Sequence, residues 1–245
     1  MPFNAVITAG GRVEGAFARK IGTPVKALAR VRGATLLERA IDSARAAGAT
    51  RVAIVGGAEV RVAAAHRVER FIPEGSTGAE NVLAALGAWP DDEPLLYLTS
   101  DMPYVDEPAL RDFMGRVPPG ALALPLAEAL AYDRRFPGAP PHGVTLAGER
   151  VTNGGAFVIP PGTAHKIAAF ATRFFDARKS LWSMGRLLGV ALLAEFAMRR
   201  LTIARVENHA LRVLGVSTLA IREAAPELAF DCDTLADYDY ALANG

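Results

Sequence analysis

The chain has one cysteine, Cys232, in 245 residues. That excludes an internal disulfide or a zinc site built on paired cysteines, and a chain without disulfides suits a reducing compartment, so the cytoplasm is the expected location. Neither charge is in excess, because 27 Lys and Arg face 26 Asp and Glu for a formal net charge of +1. A nucleic-acid binder carries a strongly basic face, so no nucleic-acid partner is expected. The P-loop pattern GxxxxGK[ST], the dinucleotide pattern GxGxxG, the HExxH zinc motif and the nucleophile elbow are all missing. Residues 1–9 lack the basic start and apolar core of a signal peptide and read as a short strand.

An uncharged run of about 20 apolar residues, the length needed to cross a bilayer, is missing too. The nearest approach is residues 181–198, where thirteen of eighteen are apolar but Ser183, Gly185, Arg186, Gly189 and Glu195 interrupt. Apolar residues there fall around most of a helical wheel, so a buried helix is expected, with docking on a membrane surface as the alternative. Peripheral membrane contact is thus possible in principle, but no transmembrane span is expected.

What the chain does have is 51% hydrophobic residues, enough for a sizeable core. Strand-like runs at 5–9, 52–55, 68–72 and 94–99 alternate with helix-like runs at 35–47, 59–66, 79–89 and 108–117. This alternation predicts an α/β fold of Rossmann-like type, a mostly parallel sheet with helices on both faces. Ligands in such sheets bind beyond the carboxyl ends of the strands. Past residue 120 the pattern loosens. Short strands are expected at 121–126, 143–146 and 156–159 around a Pro/Gly-rich loop at 136–143. Helices follow at 164–175 and 181–199, then a strand-like pair near 216–221 and 229–230 and a closing helix at 235–243. No internal repeat or low-complexity linker divides the chain, so one domain over residues 1–245 is expected, with an acceptor-side region at about 121–215.

Three loops carry chemistry. Thr8-Ala9-Gly10-Gly11-Arg12 follows the first strand directly, and the loop continues to Lys26. Glycines let backbone N–H groups approach an anion, and a lysine brought back to them supplies a mobile positive charge, the chemistry of a phosphate cradle; an ordinary strand-to-helix turn is the plainer alternative. Asp101 follows the apolar strand ending at Thr99. It suits a magnesium–nucleotide site, which uses one or two carboxylates plus phosphate oxygens, and Asp106 is better placed than Asp101 to cap the next helix. Asp231 and Asp233 lie two apart, on one side of an extended chain. Two such carboxylates repel unless a cation or basic group lies between them, so one is expected to face a metal while Asp233 or Thr234 caps the last helix.

With these pieces in order, the chain resembles the MobA-like nucleotidyltransferases. The resemblance rests on Ala9-Gly10-Gly11 with Pro24 and Lys26-Ala27-Leu28, Gly75-Ser76-Thr77-Gly78-Ala79-Glu80-Asn81, Thr99-Ser100-Asp101-Met102-Pro103, Asn153-Gly154-Gly155, and the run Asp231 to Tyr238. It implies the nucleotide-diphospho-sugar transferase type of fold and a magnesium-dependent transfer of NMP from an NTP to a phosphorylated small-molecule acceptor, releasing pyrophosphate. It places the nucleotide on Ala9, Gly10, Gly11, Gly75, Gly78 and Asn81. Lys26 and an arginine, Arg12 or Arg19, would hold phosphates, and Mg²⁺ would lie on Asp101 with Asp231 or Asp233. The acceptor would meet Asn153, Gly154 and Gly155. Two features depart from the family pattern: the loop from Gly11 to Lys26 is longer, and Val25 separates Pro24 from Lys26.

Residues 166–212 hold nine Lys and Arg against three acids. Within them, Arg178-Lys179 at a helix start is a candidate phosphate holder for the acceptor, and outside them the loop Asp133-Arg134-Arg135 is a second; a solvated basic face is the plainer reading. Of the histidines, only His142 in the Pro/Gly loop invites a functional role. Rival readings are a metal-dependent glycosyltransferase using a nucleotide sugar with Asp231-Cys232-Asp233 as its DxD motif, and a non-catalytic nucleotide-binding or membrane-docking module.

Overall fold

The computed structural model describes residues 2–177, 180, 186–187 and 189–244. β1 (Phe3–Thr8) is apolar and buried on both faces, as a central parallel strand must be. It pairs in parallel with β4 (Ala49–Gly56) on one side and β6 (Leu95–Thr99) on the other, and β5 (Arg70–Pro73) extends the sheet beyond β4. Successive residues of β1 serve opposite faces. Ala5 and Ile7 pack with α2 (Leu36–Ala46) and α5 (Glu107–Arg116), whereas Val6 packs with α4 (Gly78–Leu86) and with the start of α7 (Ala164–Ala177). α3 (Ala58–Ala64) links β4 to β5.

Local chemistry sets where these helices begin. Thr35 Oγ1 accepts from the Glu38 amide at 3.0 Å while the Glu38 carboxylate accepts from the Thr35 amide at 2.7 Å, a reciprocal cap on α2. Asp106 accepts from the Ala109 amide at 3.0 Å and caps α5, as expected from sequence.

Beyond β6 the sheet becomes mixed. β10 (Ala156–Ile159) runs antiparallel between β6 and β7 (Leu122–Glu128). β9 (Glu149–Asn153) pairs antiparallel with the end of β7 and with β8 (Val144–Leu146), and β11 (Thr218–Arg222) runs parallel to β7. The order is β5-β4-β1-β6-β10-β7-β9-β8, with β11 beside β7. The expected architecture, a mostly parallel sheet with helices on both faces, is the one found.

Several local expectations are corrected. The long loop after Gly11 contains α1 (Gly15–Ile21) and, after it, the two-stranded ribbon β2 (Arg30–Val31) and β3 (Ala34–Thr35). α6 (Ala129–Arg135), β9 and α9 (Ile203–Leu214) have no counterpart in the sequence reading. α9 is capped by Thr202, whose Oγ1 accepts from the Arg205 amide at 3.2 Å, and it stops at Gly215 with φ +63°. Residues 229–230 form no strand; they follow a 3-10 turn at Pro226–Leu228, and Phe230 is buried among aromatic rings.

The expected helix at 181–199 is not continuous, because Gly189 at φ +84°, ψ +133° breaks it before α8 (Val190–Ala197) begins. Nor is α8 buried: Leu192 is its one buried side chain, while Val190 is 72%, Phe196 46% and, just past its end, Met198 57% exposed. Residues 181–185 and 188 lie outside the described residues. No described helix is long and apolar enough to cross a membrane.

Candidate active site

β1 and β6 are neighbours, while the chain leaves β1 toward β4 on the opposite side. This is the point where strand order reverses, and loops leaving the two strands open a crevice. After Thr8 the buried Ala9 donates its amide to Val55 O at 2.8 Å, which fixes the start of the loop. Arg12 and Val25 then pair as an antiparallel bridge, the Val13 amide donates to Pro24 O at 2.8 Å, and the Lys26 amide donates to Gly11 O at 2.9 Å. The extra length between Gly11 and Lys26 is therefore folded away as α1, and Lys26 returns to the glycines. A Cβ on Gly11 would lie 3.3 Å from Lys26 Cε, and one on Gly10 would lie 2.6 Å from the Glu74 carboxylate. Only glycine allows both approaches without displacement.

Asp101 enters from the end of β6, where the Ser100 amide donates to Thr8 O at 3.2 Å. Lys26 Nζ lies 2.6 Å from Asp101 Oδ2 and 2.9 Å from Asp233 Oδ1. The C-terminal motif is docked there by its backbone, since the Cys232 amide donates to Asp101 O at 2.9 Å. Lys26 and Asp101 side chains are only 13% and 18% exposed, whereas Asp233 is 64% exposed. Burial works against the Lys26 charge, but the carboxylate of Asp101, then that of Asp233, outweighs it and the lysine pKa is raised. Asp231 moves oppositely to an ordinary carboxylate in a salt bridge. Burial first, then the charges of Asp101 and Asp233, push its pKa up to about 8, against the partial relief given by Lys26. Asp101 Oδ1 and Asp231 Oδ1 are both buried without a hydrogen-bond partner.

The crevice beside this cluster has a volume of about 600 Å³. Gly10, Gly11, Arg12, Lys26 and Asp101 line one side, and Gly75, Gly78 and Asn81 line the other. Thr77 caps α4 there, accepting from the Glu80 amide at 3.2 Å, and Asn81 Oδ1 accepts from the Gly75 amide at 2.7 Å. Gly78 is needed for space, because a Cβ would sit 2.8 Å from the ring of Phe175. Arg12 reaches the crevice with its guanidinium engaged by Glu74 at 2.9 Å and Glu59 at 3.4 Å.

Not every expected residue comes here. Arg19 points to solvent from α1, outside the crevice lining. Ala9 is fully buried and serves the loop through its backbone. Asn153 is exposed, and Gly154 and Gly155 are packing glycines: a Cβ on Gly154 would overlap Leu228 O, and one on Gly155 would overlap Thr99 Oγ1. Arg178 and Lys179 lie outside the described residues. Asp133 pairs with Arg150 at 3.4 Å and Arg135 with Glu227 at 2.5 Å, while Arg134 donates to Leu130 O. His142 Nε2 lies 3.2 Å from Asp237 Oδ1. The other oxygen of Asp237 accepts from the Thr234 amide at 2.7 Å and hydroxyl at 2.8 Å, so Thr234 is the residue that caps α10 (Leu235–Asn244).

Sequence reasoning missed Glu74, Tyr97 and Phe175 as lining residues. Tyr97 joins Thr8 across adjacent strands, hydroxyl to hydroxyl at 3.1 Å. Phe175 comes from α7, nearly a hundred positions from Gly78, and no local pattern signals such a contact.

The domain model described as a MobA-like NTP transferase domain matches residues 5–179, a span that begins in β1 and takes in the glycine loop, Lys26 and Asp101. The chain belongs to the MobA-like NTP transferase family. Among solved structures, one described as a hypothetical transferase from Thermus thermophilus is 28% identical with a TM-score of 0.85, covering 97% of this chain and 100% of that one. A nucleotidyl transferase from Methanothermobacter is 16% identical at a TM-score of 0.59, with 99% of each chain covered. CTP:phosphocholine cytidylyltransferase from Streptococcus pneumoniae is 12% identical at 0.56, covering 100% of this chain and 99% of that one. The last two share the fold of this MobA-like chain. No curated protein sequence matches it significantly.

Proposed function

We propose that this MobA-like nucleotidyltransferase moves an NMP from an NTP to a phosphorylated small-molecule acceptor in a magnesium-dependent reaction that releases pyrophosphate. The observation that carries this reading is Lys26 held between Asp101 and Asp233 at the edge of a glycine-lined crevice. Two buried carboxylate oxygens without partners, on Asp101 and Asp231, suit a hard cation. Among the described residues no three His, Cys, Asp or Glu side chains form an all-protein metal cage. A pair of carboxylates is what Mg²⁺ uses when phosphates complete its shell, so Asp101 and Asp231 would hold it, with Asp233 at the exposed rim. When bound, it supplies neutralisation of phosphate charge.

The protein's own groups do the rest. Backbone N–H groups at Gly10 and Gly11 cradle phosphate oxygens, and Lys26 offsets the charge that gathers on them. An oxygen of the acceptor phosphate attacks the α-phosphorus in line, the bond from that phosphorus to the β-phosphate oxygen breaks, and pyrophosphate leaves with the electron pair. No protein nucleophile is needed, so catalysis is positioning and charge neutralisation. The test is pyrophosphate release with each NTP against a panel of phosphorylated acceptors in the presence of Mg²⁺. Release with one NTP–acceptor pair is expected. No release from any pair, together with no NTP-induced shift in the melting temperature, overturns the reading.

A further inference from the structure

We infer that the surface formed by α8 and the Arg199-Arg200 pair docks on an anionic lipid surface. From 190 to 198 the exposed residues are Val190, Ala191, Ala194, Phe196, Ala197 and Met198, and none has a polar side chain. The segment's one charged residue, Glu195, is turned to α9, where its carboxylate accepts from Arg205 Nε at 3.1 and 3.2 Å. A soluble surface helix normally shows its polar face to water, and this one shows its apolar face. Its carboxyl end then turns sharply. Arg199 takes a left-handed conformation at φ +57°, and the Arg200 amide donates to Glu195 O at 2.8 Å. The chain returns inward at the buried Leu201, leaving both arginines exposed beside the apolar residues.

The charge selects the occupant. Among the described residues neither Arg199 nor Arg200 has an acidic partner, and the two acids between residues 190 and 212 are engaged elsewhere, Glu195 by Arg205 and Glu207 by the Ala220 amide at 2.8 Å. Apolar side chains flanked by arginines without counter-charges match the boundary of a bilayer with anionic headgroups, where apolar residues insert and cations meet phosphate. A second copy of the chain, docked symmetrically on the same face, would bring like charge against like charge. The inference does not depend on the reaction proposed above.

Flotation of the intact protein with vesicles tests it. At low salt the protein should float with phosphatidylcholine–phosphatidylglycerol vesicles and stay behind with phosphatidylcholine alone, and added salt should release it. Arg199→Glu/Arg200→Glu should weaken binding at least about tenfold, since each arginine near an anionic surface contributes separately. Phe196→Ser/Met198→Ser should abolish it, with unchanged circular dichroism and melting temperature showing that both variants are folded. Three results overturn the inference: no flotation with either vesicle, flotation that both variants retain, or a stable dimer by light scattering that Phe196→Ser/Met198→Ser dissolves while no vesicle is bound.

Discussion

Asp101→Asn separates chemistry from folding at the centre of the site. The substitution keeps the shape of the side chain and removes the charge that faces Lys26 at 2.6 Å. Removing one member of a buried ion pair commonly costs 3–5 kcal/mol because the other charge is stranded, but here Asp233 still holds the ammonium at 2.9 Å. The substitution also relieves Asp231, whose ionisation Asp101 opposes. The loss of stability should therefore fall at or below the low end for one charged hydrogen bond, about 1–2 kcal/mol, because the relief at Asp231 offsets part of it. For a chain of this size that is a fall of roughly 2–8 °C in melting temperature. Turnover should suffer far more. Losing one preorganised charge at a reacting phosphate costs on the order of 3–4 kcal/mol of transition-state stabilisation, a fall of roughly 10²–10³ in kcat. Calorimetry and pyrophosphate release on the same preparation read both quantities. Wild-type turnover in the folded variant refutes the role of Asp101, and a collapse of the melt by far more than 8 °C would show that Asp233 does not hold Lys26 as the geometry requires.

Further outcomes follow from the same cluster and its supports. Lys26→Ala should reduce the thermal shift produced by NTP, because ligand that binds only the native state stabilises it by mass action; an undiminished shift removes Lys26 from the nucleotide site. The pKa of Asp231 is raised in the folded protein, so the folded state holds its proton longer than the unfolded chain does. Its stabilising contribution is full below the ordinary carboxylate pKa and is lost as pH rises through about 8. Asp231→Asn without metal should therefore gain stability relative to wild type as pH rises from 4 to 8, and a flat difference in melting temperature over that range would contradict the burial of its charge. Gly155→Ala places a methyl group where Thr99 Oγ1 lies, so the variant should lose about 1–3 kcal/mol and recover part of it when combined with Thr99→Ala, which removes that oxygen. A chemical-denaturation series on the single and double variants measures that coupling.

Periodicity and local chemistry by themselves determined the layered architecture and the strand-end loops. A continuous apolar run such as Leu95 to Thr99 has one stable place, inside a sheet covered on both faces, and an acid directly after it must emerge at the ligand edge. The cap at Asp106 was equally legible because it acts within one turn. What sequence could not decide was contact between distant segments. The pairing of Lys26 with both Asp101 and Asp233 joins residues 207 positions apart at most, and the entry of Phe175 into the crevice depends on how α7 lies across the sheet. The acceptor role of Asn153-Gly154-Gly155 comes from the family resemblance alone, and only the tertiary structure shows that backbone at Gly154 and Gly155 packs too closely on Leu228 and Thr99 for any side chain. The apolar stretch before Arg199 reads as core, because composition records what a segment would bury and not whether anything covers it. Only the tertiary structure, by breaking the helix at Gly189 and turning Glu195 to Arg205, left the apolar side of α8 facing outward.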